Sequence, residues 1–391
     1  MEEEVFSIND LCTRVTDGSH FSPENISDGI YPMYSVKDMD YNGFKKDGYK
    51  TIDQSTYDKL CKSDCRPLKN DILIAKDGSY LKYVFKTKED LNACILSSIA
   101  ILRPNIKKID PDYFVYLLRS ASVKNSMANY VSGAALPRII LKAFKKMRIK
   151  LIKDRTYQSK IGNILSTYDD LIEKNNRKIE ILREMAEELY KEWFVRFRFP
   201  GYKTAKFIDG IPEGWKETKL GNICQITTGN KDANEATGDG LYPFFTCARE
   251  TTLTTNEYIL DTDAILVSGN GSYTGLVKKF SGKFDLYQRT YALYDFNDVD
   301  WLYIYWVMKT DFEPKHMGGT NGAAIPYITK PVLQKYKLLV PNKDLLNEAG
   351  KIFAYCHKQC NLLEKQNNNL KQQRDLLLPR LMSGKLEVKV S

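Results

Sequence analysis

Apolar residues along the 391-residue chain fall into two kinds of run. Short blocks such as Asp71 to Ala75, Met147 to Ile152 and Asp263 to Val267, bounded by Gly, Asn, Asp or Lys, predict strands. Tyr113 to Ser120 and Trp301 to Lys309 predict helices. From Leu165 the pattern changes. Leu165, Tyr168, Ile172, Asn175, Ile179, Leu182, Ala186, Leu189 and Trp193 advance by alternating steps of three and four, the spacing of a coiled-coil seam. Asn175 is its only strongly polar member, and a lone Asn at such a seam fixes register and partner at some cost in stability. A weaker seam of the same period lies 191 residues on, at Leu363, Gln366, Leu370, Gln373 and Leu377. One seam alone equally describes a helix packed on its own domain, whereas two, each closing a globular stretch, favour mutual pairing. The first helix, from about Leu165 to Val195, would span about 45 Å at roughly 1.5 Å per residue, a natural ruler. Pro200-Gly201 ends it, and Ile211-Pro212-Glu213-Gly214-Trp215 opens a second globular stretch.

The chain also repeats itself. Ile30-Tyr31-Pro32-Met33-Tyr34 matches Leu241-Tyr242-Pro243-Phe244-Phe245 at an offset of 211. Asp71 to Ala75 with Gly78-Ser79 matches Asp263 to Val267 with Gly271-Ser272 at about 192, and Gly133 to Ile139 matches Gly322 to Ile328 at 189. Ile8, Leu11, Cys12, Val15 and Gly18 likewise face Leu220, Ile223, Cys224, Ile226 and Gly229. The expected fold is therefore α+β: two similar globular domains, joined and spaced by two long helices in an antiparallel coiled coil, with pseudo-twofold internal symmetry. The expected boundaries are residues 1–157 for the first domain, 158–199 for the first helix, 200–343 for the second domain, and 344–391 for the second helix and tail. The offset falls by 19 between the first two anchors, so the copies should differ mainly over residues 35–70 and their counterpart after Phe245.

Composition narrows the function. With 43% hydrophobic and 27% charged residues the chain is neither disordered nor fibrous. Apolar runs such as Tyr113 to Leu118 are far short of a membrane span, and the acidic start Met1-Glu2-Glu3-Glu4 is no export signal, so the expected location is cytoplasmic. A net charge of +9 favours a polyanionic partner, although it equally describes a merely basic protein. The eight cysteines are scattered rather than arranged as a disulfide scaffold.

Catalytic signatures are weak. There is no Gly-x-x-x-x-Gly-Lys-Ser/Thr phosphate loop, and Ser268 to Gly275, although Gly-rich, lacks the lysine. Cys356 and Cys360 flank His357 at helical spacing, and Cys61 and Cys65 share that spacing, but buried thiols explain both better than zinc. Asp209 with Glu217-Thr218-Lys219 is only a formal match to a nuclease carboxylate set. What the repeats do offer is polar, basic and aromatic residues at duplicated positions, suited to phosphate and base-edge contact. The candidates in the first copy are Ser19, His20, Lys37, Lys76, Asp77, Gly78, Ser79, Tyr80 and Arg138. Those in the second are Asn230, Lys231, Arg249, Ser268, Asn270, Ser272, Tyr273, Arg289 and Tyr327.

Leu165 to Ile179, Trp193-Phe194-Val195-Arg196-Phe197-Arg198-Phe199-Pro200-Gly201, the Ile211 to Trp215 segment and the terminal Leu378 to Leu386 together carry a resemblance. The chain resembles, over nearly its whole length, the DNA specificity subunit of Type I restriction-modification systems. It departs in lacking a Pro-Glu-Gly-Trp entry to its first domain. The resemblance implies a non-catalytic reader of double-stranded DNA whose two domains each bind half of a bipartite, asymmetric site. It implies that the helices pair, set the spacing, and dock two modification subunits through positions such as Tyr168, Ile172, Asn175, Ile179, Leu182, Ala186, Leu189, Leu363, Leu370 and Leu377. This chain would hold no metal and no cofactor, with S-adenosylmethionine, ATP and Mg on the modification and restriction/translocase partners. The alternatives are a stand-alone or inactive DNA-binding or regulatory relative, and an autonomous metal-dependent nuclease using Asp209 and Glu217.

Overall fold

The computed structural model describes residues 2–78, 82–132, 138–317 and 327–388. Four helices organise it: α1 (Pro111–Arg119), α2 (Arg155–Tyr190), α3 (Trp301–Val307) and α4 (Lys343–Met382). Two compact units result, one of Met1–Asn176 with Glu364–Ser391 and one of Arg177–Leu363, so each long helix contributes to both. Among the described residues no helix is long and apolar enough to cross a membrane.

In the first unit, strands lie in the order 12–17, 99–104, 72–75, 84–86, and a second sheet orders 50–52, 31–34, 94–95. In the second unit a single six-stranded sheet orders 225–228, 290–294, 260–268, 277–286, 242–245, 253–255. The order is the same. The long strand Val277–Leu286 continues through positions that the first unit divides between 84–86 and 94–95. In both units the Tyr-Pro strand pairs antiparallel on one side and parallel on the other, as Met33 with Lys50 and Cys94, and Phe244 with Leu253 and Asp285. The divergent stretch is where the offsets place it: helix Gln54–Lys62, capped by the Asp53 side chain on Thr56 N, follows strand 50–52, whereas residues 256–259 alone link the corresponding strands of the second unit.

α1 and α3 are copies built by the same local chemistry. Asp110 and Asp300 are their N-caps, accepting from Tyr113 N and Tyr303 N, and each helix then buries an almost continuous apolar turn. Their tyrosines reach equivalent strands: Tyr113 Oη accepts from Ile152 N at 3.2 Å, and Tyr303 Oη donates to Leu339 O at 2.5 Å. Gly162 in α2 and Gly350 in α4 lie against those same cap aspartates, where a Cβ would come within 2.9 Å of Asp110 Oδ1 or Asp300 Oδ2. Close helix approach at these two points requires glycine.

α2 starts ten residues earlier than its seam, because Asp154 Oδ1 accepts from Thr156 N and Tyr157 N and starts the helix there. Within the first unit α2 runs antiparallel to the end of α4: Tyr157 meets Leu386, Asp169 meets Arg374, and Asn175 meets Asn367. Within the second unit the same antiparallel sense holds, with Ile179 beside Cys360 and the Phe194 and Phe353 rings 6.4 Å apart. The buried line on α2 includes Leu165, Ile172, Asn175, Ile179 and Ala186, with Tyr168, Leu182 and Leu189 half-buried. On α4 the expectation needs a correction. Leu363, Leu370 and Leu377 are half-buried as members of the seam; Gln366 and Gln373 are exposed, although Gln366 Oε1 still accepts from Asn175 Nδ2 at 3.2 Å, and the buried positions are Asn367 and Arg374. The inward line thus runs Phe353, Cys356, Cys360, Leu363, Asn367, Leu370, Arg374, Leu377, Leu381, in unbroken steps of three and four.

Candidate nucleic-acid interface

In each unit, the loops that carry most of the described duplicated candidates are tied to one another by isolated bridges and backbone hydrogen bonds. In the first unit the turn after strand 12–17 passes so close to its neighbour that a Cβ on Gly18 would overlap the Ile95 carbonyl; Ser19 N donates to that carbonyl at 2.9 Å, and Ser19 bridges Leu96. Gly229 stands in the same relation to Leu286, and Lys231 bridges Tyr287. A second pair of bridges, Asp77 with Arg138 and Asn270 with Tyr327, closes the equivalent edge of each loop cluster. Gly78 and Gly271 follow Asp77 and Asn270 with φ of +74° and +83°, a left-handed turn that suits glycine.

The side chains differ between the copies. In the first, Arg138 is exposed and its Nε lies 2.9 Å from Asp77 Oδ1; His20 is exposed, with Nε2 3.3 Å from Asp17 Oδ1. Lys37 is exposed and its carbonyl accepts from Lys45 Nζ at 2.7 Å. Lys76 departs from its expected role as a surface cation. It is only 5% exposed and its ammonium lies 2.5 Å from Asp17 Oδ2, so its charge is already neutralised inside the loop base. Ser19 is also buried, its Oγ donating to Phe21 O at 2.6 Å. Ser79 and Tyr80 lie outside the described residues.

The second unit is more open. Asn230, Arg249, Ser272, Tyr273, Arg289 and Tyr327 are all exposed, Tyr327 at 72%. Backbone bonds hold them together: Gly269 N donates to Arg289 O at 2.9 Å, Ile328 N to Gly269 O at 2.8 Å, and Gln288 N to Lys231 O at 3.0 Å. Asn270 is half-buried, and Ser268 is buried with its Oγ 3.4 Å from Cys247 O. Lys231 lies 2.9 Å from both Asp285 Oδ2 and Glu257 Oε2, and those carboxylates, Asp285 foremost, hold its ammonium above the usual lysine range. Lys76 and Lys231 thus both support their loops through an acid, Asp17 or Asp285, that sequence reasoning alone does not single out; their placement beside the repeated glycine turns is the only sequence signal for them.

Also unanticipated is a polar cluster on the seam. Asp169 accepts from Tyr116 Oη at 2.7 Å, from Arg119 Nη1 at 2.8 Å and from Arg374. Both guanidiniums lie over the Tyr41 ring, at 4.2 Å and 4.6 Å from its centroid. Elsewhere the minor candidates are accounted for. Cys356 and Cys360 are buried in the second unit, and burial pushes the Cys356 thiol above its ordinary range. Glu217 Oε1 accepts from Lys337 Nζ at 2.7 Å, and Asp209 occupies the turn of a short hairpin, Phe207–Ile208 with Ile211–Pro212. Among the described residues no group of three or more His, Cys, Asp or Glu is placed to hold a metal ion.

Comparison with known proteins agrees with this architecture. The model of the Type I restriction modification DNA specificity domain matches twice, over residues 2–183 and 212–373. The EcoDI specificity subunit of Escherichia coli is 33% identical over 180 residues, which are 45% of this chain and 39% of that protein. The MjaVIII specificity subunit of Methanocaldococcus jannaschii is 24% identical over 391 aligned positions, covering 93% of this chain and 87% of that one. The crystal structure of a Type I restriction-modification S subunit from M. genitalium shares the fold with a TM-score of 0.61 at 19% identity, over 100% of this chain and 97% of that one. Since one family model accounts for both halves of the doubled frame, the chain belongs to the Type I restriction-modification DNA specificity family.

Proposed function

We propose that this chain is the non-catalytic, DNA-reading subunit of a Type I restriction-modification complex, each unit reading one half of a bipartite, asymmetric sequence in double-stranded DNA. One observation carries the proposal: two loop clusters occupy the same place on the same frame, closed by the same two bridges, yet present different side chains, Asp77 and Arg138 in one and Asn270 and Tyr327 in the other. A constant frame with variable tips is what two readers of different half-sites require, because base edges are distinguished by donor and acceptor pattern while the duplex backbone is constant. Arg138, Arg249, Arg289 and Asn230 supply the donors suited to base edges and phosphates. In this reading α2 and α4 set the number of unread bases between half-sites and dock two modification subunits. Those subunits carry S-adenosylmethionine and methylate adenine, while restriction/translocase subunits carry ATP and Mg.

The test is co-expression with the neighbouring modification subunit in a methylation-free host, followed by genome-wide mapping of methyladenine. Methylation at a single bipartite motif, lost when this chain is omitted, is the expected result. An assembled complex that binds its cofactor yet leaves the genome unmethylated would instead favour the stand-alone or inactive relative.

A further inference from the structure

Several cations on the first unit sit beside a carboxylate: Lys86 with Asp112, Lys88 with Asp170 and Glu173, Arg103 with Asp71, Lys150 with Glu3, and Lys153 with Glu2. One concavity of about 560 Å³ is different. It is lined by Lys142, Lys145, Lys146 and Arg148, with Asp10 the one acid on its wall. That carboxylate is oriented by Ser7, accepting from Ser7 N at 3.0 Å and Ser7 Oγ at 2.6 Å; these bonds first, and the charges of Lys108 and Arg148 after them, hold it below the usual carboxylate range, so one negative charge stands against the cations of the wall. None of the four cations has an ion-pair partner among the described residues, and Lys142, Lys146 and Arg148 are exposed. Lys108 adds a fifth charge nearby, its ammonium 2.9 Å from the Asp10 carbonyl.

The floor is rigid. Asn9 N donates to Lys145 O and Ile8 N to Met147 O, both at 3.0 Å, and Ser7 pairs with Arg148 in the antiparallel ladder of Glu3–Ser7 with Arg148–Ile152. It is also continuous with the recognition loops. Arg138, which meets Asp77, is followed by Ile139, whose N donates to Lys76 O at 3.0 Å, and the chain runs on into the short helix Leu141–Phe144. The second unit lacks the feature: Pro331, Gln334, Lys335 and Lys337 stand at the repeat positions, and Lys337 is paired with Glu217. Like charges held together on a rigid surface repel one another, and a polyanion offsets that repulsion.

We infer that the Lys142, Lys145, Lys146 and Arg148 concavity is a sequence-independent anchor for the DNA sugar-phosphate backbone, present in the first unit alone and adjoining its base-reading loops. It rests on the DNA-reading proposal above. Each phosphate neutralised contributes about 0.9 to the slope of log affinity against log salt.

The experiment measures binding of the full chain to two duplexes, one carrying the mapped motif and one scrambled, from low to moderate KCl. The variant is Lys142→Gln with Lys146→Gln and Arg148→Gln. Lys142→Gln alone, at an exposed position, guards against misfolding of the triple variant, and Lys153→Gln, whose partner is Glu2, is the control. The expected result is a tenfold or greater loss on both duplexes at moderate salt, a slope reduced by about 2 to 3 for the triple variant and by about 1 for the single, and an unchanged methylation motif. Unchanged affinity and slope on both duplexes would overturn the anchor, as would loss of modification-subunit binding with DNA affinity intact, which would mark an acidic protein as the occupant. Failure of the wild-type chain to bind DNA or direct methylation would instead overturn the DNA-reading proposal, so the two failures are distinguishable.

Discussion

Arg374 of α4 and Asp169 of α2 meet inside the first unit, with side chains 5% and 12% exposed. The same carboxylate binds Arg119 and Tyr116 of α1, so a single acid joins three helices, and the two guanidiniums enclose Tyr41 of a recognition-domain loop. The two sides of the pair are unequal. Loss of Arg374 leaves Asp169 with two donors, whereas loss of Asp169 takes the buried counter-charge from Arg119 and leaves Arg374 only the exposed Asp375. Asp169→Ala is therefore expected to destabilise the chain by about 3–5 kcal/mol, and Arg374→Met by less. Denaturant unfolding of the full chain decides this, and the reverse order would refute it.

The Asn pair in the seam makes a different prediction. Asn175 Nδ2 donates to Asn367 Oδ1 at 2.9 Å, and Asn367 Nδ2 donates to Asn176 Oδ1 at 2.8 Å. Asn175→Leu alone strands a buried oxygen and should cost about 1–3 kcal/mol. Replacing Asn175 and Asn367 together by Leu removes donor and acceptor at once and should recover most of that loss while relaxing register. Melting temperatures of the two single variants and the double variant form the cycle; a double variant as unstable as the sum of the singles contradicts the account.

Acid should weaken the second unit through His357. Its Nε2 lies 3.3 Å from Ser281 Oγ and its ring is edge-on to Trp301 at 5.2 Å. Burial, reinforced by the charge of Lys279, pushes the imidazole from 6.5 down to about 4. The folded value lies below the unfolded one, so the unfolded chain takes up the proton first. The stability due to neutral His357 is present above pH 6.5 and is lost as pH falls toward 4. In His357→Gln the stability should vary less over that window than in the wild type; identical pH profiles would eliminate the effect.

Base reading should divide by unit. Arg138→Ala should relax the motif in one half and Arg289→Ala in the other, each with a loss of about 1–3 kcal/mol if the guanidinium reads a base. Methylome mapping of each variant shows which positions become degenerate. Relaxation of both halves by one substitution would contradict independent readers.

The doubled frame was legible in the residues alone. Repeated anchors such as Tyr31-Pro32 and Tyr242-Pro243 recur as strands with the same neighbours, since apolar strand patterns and glycine turns are local and survive divergence of the tips. The period of the long helices was equally legible, because a seam is a property of spacing. Helix phase was not: Gln366 and Asn367 fit a weak seam equally well on paper, and only the packing of Phe353, Cys356 and Cys360 upstream turns Asn367 and Arg374 inward. Long-range packing also settled which cations are available to a partner. Lys76 and Arg148 look alike in sequence, but Asp17, brought across from a distant strand, pairs with the first in the interior, while Asp10, the acid on the wall beside the second, is turned toward Ser7 and makes no ion pair with the exposed Arg148. Charge is written in the sequence, but its neutralisation depends on distant neighbours that the fold alone brings together.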